Sequence, residues 1–215
     1  LGDAERVDAI AIAREPRAYL AQKAFLALKH PRSLFRAAGR VKNLYAVAAL
    51  EGRVKASLGL LESPPIIPVE HHRAHLASAF YCSPFEEAAC LSVDGFGDFV
   101  STMLAHGRGN KLEILDRVHF PHSLGIFYSA MTQYLGFPHF GDEYKVMGLA
   151  AYGSTRFVSE VTQLVPPLPD GTFRLDLSYF RHLSEGVDMT WESGEPALGR
   201  LFTPALERLL GPARP

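Results

Sequence analysis

EHHRAHLASAF, residues 70–80, followed by LSVDGFGD, residues 91–98, is the stretch on which the reading of this chain turns. If HHRAHLASAF begins a helix, His71 and His75 are four residues apart and lie one above the other on the same face, while His72 points elsewhere. Two imidazoles at that spacing can offer two nitrogen ligands to one divalent ion, as in HExxH zinc helices. Here His72 stands where that motif has its glutamate, so a metalloprotease would lack its general base. The structural alternative is a set of partly exposed histidines at a helix start. The third ligand decides between them. Asp94 follows the apolar run AACLSV and is expected at a strand end, where its carboxylate can face a ligand. His71, His75 and Asp94 would form a two-histidine, one-carboxylate set with coordination positions left open for water or substrate.

DGFGD, residues 94–98, carries two readings of its own. Asp followed by Gly between strands is an ordinary hairpin turn. Alternatively, Gly95 and Gly97 let the backbone approach a phosphate and turn its N–H groups toward the anion, with Asp94 and Asp98 able to hold a metal or its water.

Outward from this stretch the pattern is mixed α and β. Residues 7–13, VDAIAIA, predict a short strand, and the segment PRAYLAQKAFLALKH predicts a helix with Leu20, Ala24, Ala27 and Leu28 on one face. Ser33 to Leu61 predicts one long helix or two short ones, and PPIIPVE a brief strand that leads into the histidines. AACLSV, FVSTMLAHG and KLEILDRVHF predict three strands in consecutive hairpins, with GRGN as the second turn. SLGIFYSAMTQYLGF predicts a helix capped by Ser123 and stopped near Gly136, its Leu124, Phe127, Met131 and Leu135 packing inward. EYKVMGLAAYG predicts a short helix with Met147 and Leu149 in the core; a further helix, a proline-rich break and a strand after the DG turn at Asp170 follow.

Composition narrows the function classes. At 215 residues and 47% hydrophobic content the chain can bury a sizeable core. Its 22 basic and 23 acidic residues give a net charge of -1, which advertises neither nucleic acid nor an anionic membrane. No apolar run approaches the roughly 18 residues that span a bilayer. Two cysteines, Cys82 and Cys90, are too few for a disulfide framework and point to a reducing, cytoplasmic setting.

Taken in order, EHHRAHLASAF, SVDGFGD, HSLGIFYSAMTQYLGF and GDEYKVMGLAAYG resemble the NodU/CmcH-type O-carbamoyltransferases, and the resemblance runs on through MTWESGEPALGRLF to LLGPARP. That family's first domain is similar to the TsaD proteins of tRNA threonylcarbamoylation and belongs to the two-lobed, actin-like ATPase superfamily with its ribonuclease H-like fold. The resemblance implies an α/β chain of mixed α+β content, with residues 1–85 the remainder of the first lobe and 86–215 the start of the second. It implies metal ligation by His71, His75 and Asp94, with Fe2+ the first choice and Zn2+ or Mn2+ as alternatives. It also implies formation of a carbamoyl-adenylate from carbamoyl phosphate and ATP, and passage of the carbamoyl group to a hydroxyl of a small-molecule acceptor. Glu143 and Lys145 would fall near the nucleotide, beside Gly95, Gly97 and Asp98, and His72 is a candidate base for the acceptor hydroxyl.

The chain departs from the family in two places. Nothing like the family's opening GINxxHDAS motif precedes Leu1, and the later metal-binding aspartate and the YrdC-like domain have no counterpart. A fragment is therefore expected, completed by the missing lobe and the YrdC-like domain in cis or in trans. Two other classes compete: a metal-dependent hydrolase built on His71, His75 and Asp94, and a non-catalytic fragment that works only with another chain.

Overall fold

The computed structural model describes residues 7–30, 49–58, 64–187, 189–192 and 195–215. The chain is a mixed α/β protein of seven strands and seven α-helices among those residues. The expected helical region from Ser33 to Leu61 lies largely outside the described residues; its described part is helical, as given below.

Two compact units divide the chain. The first comprises residues up to Cys90 together with Gly97–Phe99 and Ala105–Ile114. It contains strand β1 (Ile10–Ile12), helices α1 (Leu20–Lys29) and α2 (Leu50–Leu58), strand β2 (Ile66–Pro68) and helix α3 (His71–Phe80). β1 and β2 pair in parallel, Ile10 opposite Ile66, and the Val69 N–H donates to the Ile12 carbonyl at 2.8 Å just before the histidines begin.

Three strands form a sheet in the order β3 (Glu87–Gly97), β4 (Val100–Arg108) and β5 (Lys111–His119). Two-residue turns join them, a connection that only antiparallel neighbours permit. The DG turn expected at Asp94–Gly95 does not form: β3 continues through both residues, and the chain reverses at Asp98–Phe99 instead. The expected turn at GRGN does form, with Gly109 at φ 55°. The AACLSV segment is buried on one face only. Cys90 and Ser92 are buried, whereas Leu91 is 64% and Val93 46% exposed, the alternation of a sheet covered on one side.

The second unit holds Leu91–Phe96, Val100–Leu104 and the chain from Leu115 onward. Its helices are α4 (Leu124–Tyr134), α5 (Glu143–Leu149), α6 (Val158–Leu164) and α7 (Pro204–Leu210). A hairpin of β6 (Met189–Glu192) and β7 (Glu195–Leu198) completes it. Ala130 and Tyr134 of α4, Leu164 of α6 and Leu206 of α7 form its core with Phe180 and Phe202, and Phe127, Met131 and Leu135 pack against them as the helical spacing predicted. Thr203 accepts the Ala205 N–H and Pro204 opens α7, a standard helix start. The strand expected after the turn at Asp170 is absent. Phe173 makes one isolated bridge to Pro167, and Asp176 then folds residues 177–179 into a 3-10 turn by accepting the Ser178 N–H. A short polar side chain that competes for local backbone donors has overridden the β pattern.

Candidate metal centre

Helix α3 divides its histidines by facing. His72, Leu76 and Phe80, spaced at four-residue intervals, are buried, and His72 is 0% exposed. Phe80 lies against Gly107, where an added Cβ would come within 2.8 Å of its ring. The neighbouring face carries His71 and His75. Their Nε2 atoms are 2.9 Å apart, with the rings at 88° to each other. In the metal-free neutral state one nitrogen donates a proton to the other, and a cation that replaces that proton would be held by both lone pairs.

Carboxylates fix the start of this helix. Glu70, the N-cap, accepts the Arg73 N–H at 2.9 Å, and its other oxygen is buried without a hydrogen-bond partner among the described residues. Asp98 accepts the His71 N–H at 3.0 Å and the Glu15 N–H at 2.7 Å, both on Oδ2. Both anions sit at the positive end of the helix dipole.

Asp94 lies on β3, and one ligand atom from each of His71, His75 and Asp94 falls within 4.8 Å of the others. The Asp94 carboxylate is oriented locally, because its Oδ1 accepts the Gly95 N–H at 2.6 Å. Two neutral imidazoles and one carboxylate are a suitable donor set for a divalent ion of intermediate softness, and three ligands leave positions open. The residues present therefore fit a metal.

The backbone of Asp94–Gly95 is held by the start of α4. Ser123 Oγ, buried, lies 3.1 Å from the Asp94 carbonyl and 2.8 Å from the Gly95 carbonyl, to which it donates, and accepts the Ile126 N–H at 3.1 Å as N-cap. Gly125 packs directly on the same peptide; an added Cβ would stand 2.7 Å from the Gly95 nitrogen.

The two glycines of DGFGD differ. At Gly95 an added Cβ would meet nothing within 4 Å, whereas at Gly97 it would lie 1.9 Å from His71 Cδ2. Gly97 is thus required by the imidazole beside it. Asp98, grouped with the nucleotide contacts on sequence grounds, has its Oδ2 engaged with the backbone of α3 and of Glu15. His72, the candidate base, is enclosed in the α3 packing face, which favours a structural role for it.

Glu143 and Lys145 lie on α5. The Glu143 carboxylate accepts from Ser129 Oγ, and Lys145 Nζ pairs with Asp142 at 2.6 Å. Burial pushes the Asp142 carboxyl up, but the hydrogen bonds from Lys145 and from the His139 N–H, with the charges behind them, outweigh it and hold the carboxyl below the usual aspartate range. Contrary to the sequence expectation, Met147 and Leu149 are not core: they are 68% and 43% exposed.

Glu70 and the backbone role of Asp98 were not visible in the sequence. A glutamate is an unusual N-cap, and an acceptor for a helix start that comes from a distant turn leaves no local signature. Ser123 was visible as a cap, but not as the donor to the Asp94–Gly95 peptide.

Comparison with known proteins identifies the family of the chain. Residues 23–195 match the family model described as carbamoyltransferase N-terminus. The chain is 40% identical over 137 residues to nodulation protein NolNO of Sinorhizobium fredii, covering 63% of this chain and 20% of the relative. Nodulation protein NolO of Bradyrhizobium diazoefficiens is 43% identical over 112 residues, 51% of this chain and 20% of the relative. An uncharacterized protein of Synechocystis is 48% identical over 128 residues, 59% of this chain and 21% of the relative. The chain thus spans about a fifth of the length of these curated relatives. With its family model matched over most of its residues, the chain belongs to the carbamoyltransferase N-terminus family.

Proposed function

We propose that the chain is the TsaD-like, metal-holding part of an O-carbamoyltransferase, with residues 1–85 belonging to the first lobe of an actin-like ATPase fold and 86–215 to the second. The observation that carries this proposal is the meeting of two imidazoles and a carboxylate within 4.8 Å in a chain of this family. His71 and His75 supply neutral nitrogen lone pairs, and Asp94 supplies negative charge, its carboxylate steadied by the Gly95 N–H. A divalent ion, Fe2+ in the first instance, supplies Lewis acidity when bound, polarising the carbamoyl carbonyl or neutralising the adenylate phosphate.

In the transfer, a hydroxyl oxygen of the acceptor attacks the carbamoyl carbon and a new C–O bond forms. The bond to the adenylate phosphate breaks, AMP departs, and the hydroxyl proton passes to a base. The burial of His72 speaks for a base other than His72. Gly95, whose Cα faces open space, together with Glu143 and Lys145, would contact the nucleotide, Lys145 by exchanging Asp142 for a phosphate oxygen. The adenylate would come from carbamoyl phosphate and ATP on a YrdC-like domain in cis or in trans, in the cytoplasm, and among the described residues no helix is long and apolar enough to cross a membrane.

The test is metal content and affinity, by elemental analysis and calorimetry, of the chain and of His71→Ala, His75→Ala and Asp94→Ala. One equivalent of metal, lost in all three variants, is expected. Adding the remaining parts of a family member should then give transfer that requires both ATP and carbamoyl phosphate. Retention of metal in all three variants, or turnover of ester substrates without carbamoyl phosphate, would refute the proposal; the latter would indicate a hydrolase.

A further inference from the structure

We infer that Asp98 is a positioning residue for His71, clamping the first turn of α3 from the β3–β4 turn; the inference rests on the metal-centre proposal above. The first N–H groups of a helix have no partner within the helix. In α3 the Arg73 N–H goes to Glu70 and the His71 N–H goes to Asp98. The same Asp98 oxygen takes the Glu15 N–H, so one atom ties together the loop after β1, the start of α3 and the β3–β4 turn.

The turn that delivers this oxygen is unfavourable in itself. Asp98 and Phe99 have φ of 48° and 84°, in the left-handed region where two-residue hairpins favour Asn-Gly. A phenylalanine held there is strained, and such conformations persist where the surroundings over-determine them. Phe99 is buried and Asp98 holds two backbone donors, which supplies that over-determination. Gly97, immediately before, leaves the space the His71 ring occupies, since an added Cβ would be 1.9 Å from Cδ2 and 2.6 Å from Cβ of His71. The turn therefore fixes His71 twice, by its backbone N–H and by the surface its ring rests on. A metal-ligating histidine needs its ring held close to the productive geometry, and losing such support typically weakens metal binding about 10–100-fold.

Two near-isosteres separate this role from a direct contact of the Asp98 charge with a cation or nucleotide. Asp98→Asn removes the charge but keeps an oxygen able to accept both N–H groups; Asp98→Glu keeps the charge but displaces the acceptor. Two readouts apply: amide hydrogen exchange at residues 71–75 of the metal-free chain, and cobalt(II) titration followed by its visible spectrum. Positioning predicts that Asp98→Asn stays within about threefold of wild type in both readouts, while Asp98→Glu exchanges its His71 amide at least about tenfold faster and binds cobalt about tenfold more weakly, with an altered spectrum. The reverse ranking, or two variants indistinguishable from wild type, would overturn the inference. If folded wild-type chain takes up no cobalt, the metal-centre proposal fails, and the exchange data still decide whether Asp98 clamps α3.

Discussion

Helices α3 and α5 both begin beside carboxylates, yet they use them differently. In α3, Glu70 and Asp98 spend their oxygens on the backbone N–H groups of Arg73 and His71, and His72, Leu76 and Phe80 anchor the neighbouring face. In α5, the Asp142 side chain makes no capping bond to the helix; its carboxylate is taken by Lys145, and no residue of the helix is buried. Polar side chains on α3 stand on a fixed base, so two imidazoles can converge. On α5, Lys145 is taken up by the buried Asp142 and Glu143 by Ser129, while Tyr144 and Met147 lie open at 64% and 68%. Preorganisation, more than residue type, separates a candidate metal centre from a charged surface.

The largest effects should fall on the anchor. Leu76→Ala, at a residue 1% exposed, is expected to cost about 2–5 kcal/mol in a urea titration, while Met147→Ala should change stability by less than about 0.5 kcal/mol. Equal costs would remove the distinction between the two helices.

The glycines should behave oppositely. Gly97→Ala drives a Cβ into the His71 ring and should cost about 1–3 kcal/mol and abolish stoichiometric metal binding. Gly148→Ala, in the interior of α5 where an added Cβ meets nothing within 4 Å, should instead stabilise by up to about 1 kcal/mol. Thermal unfolding and calorimetric metal titration of the two variants check both halves.

Acid should probe the Asp142 pair. Because the folded carboxyl titrates below its ordinary value of 3.8, its contribution is complete above that value and is lost as pH falls through the lower folded value. Asp142→Asn should remove that part of the pH dependence at a cost near neutrality of about 1 kcal/mol, since Lys145 is partly exposed. The urea midpoint followed from pH 6 to pH 2.5 reads this out, and an unchanged slope in Asp142→Asn would assign the acid sensitivity elsewhere.

A smaller effect is expected from two histidines of the second unit. Burial lowers the pKa of His122, with the charges of Arg174 and His182 adding to it, and burial lowers that of His182 against its bond to the Pro121 carbonyl. Below the ordinary value of 6.5 the unfolded chain takes up protons that the folded chain resists, so stability is full above 6.5 and declines as pH falls through it. His122→Asn, which keeps an acceptor for the Leu175 N–H, should flatten the decline between pH 7 and pH 5 in thermal melts.

Much of this organisation was legible in the sequence because its signals are local. Helical spacing exposed α3 and α4, Ser123 announced its own cap, and GRGN marked its hairpin. The triplet His71, His75 and Asp94 could be named because a four-residue histidine spacing and a carboxylate late in an apolar strand are both readable from the chain. What escaped depends on contacts distant in sequence. Asp94–Gly95 looked like a turn, but the strand runs through it and the reversal falls on Asp98–Phe99, a pair with no turn signature. The backbone role of Asp98 stayed hidden because its partners, Glu15 and His71, are brought to it only by the fold. Met147 looked like core because periodicity records an apolar face and not what covers it.

The most direct test of the metal centre is anomalous diffraction from crystals of the chain grown with cobalt(II), measured on both sides of the cobalt edge. One dominant anomalous peak is expected within bonding distance of His71, His75 and Asp94, about 2.0–2.2 Å from the imidazole nitrogens and the carboxylate oxygen. Well-diffracting crystals with the peak at other residues, or with none at this triplet, would contradict it.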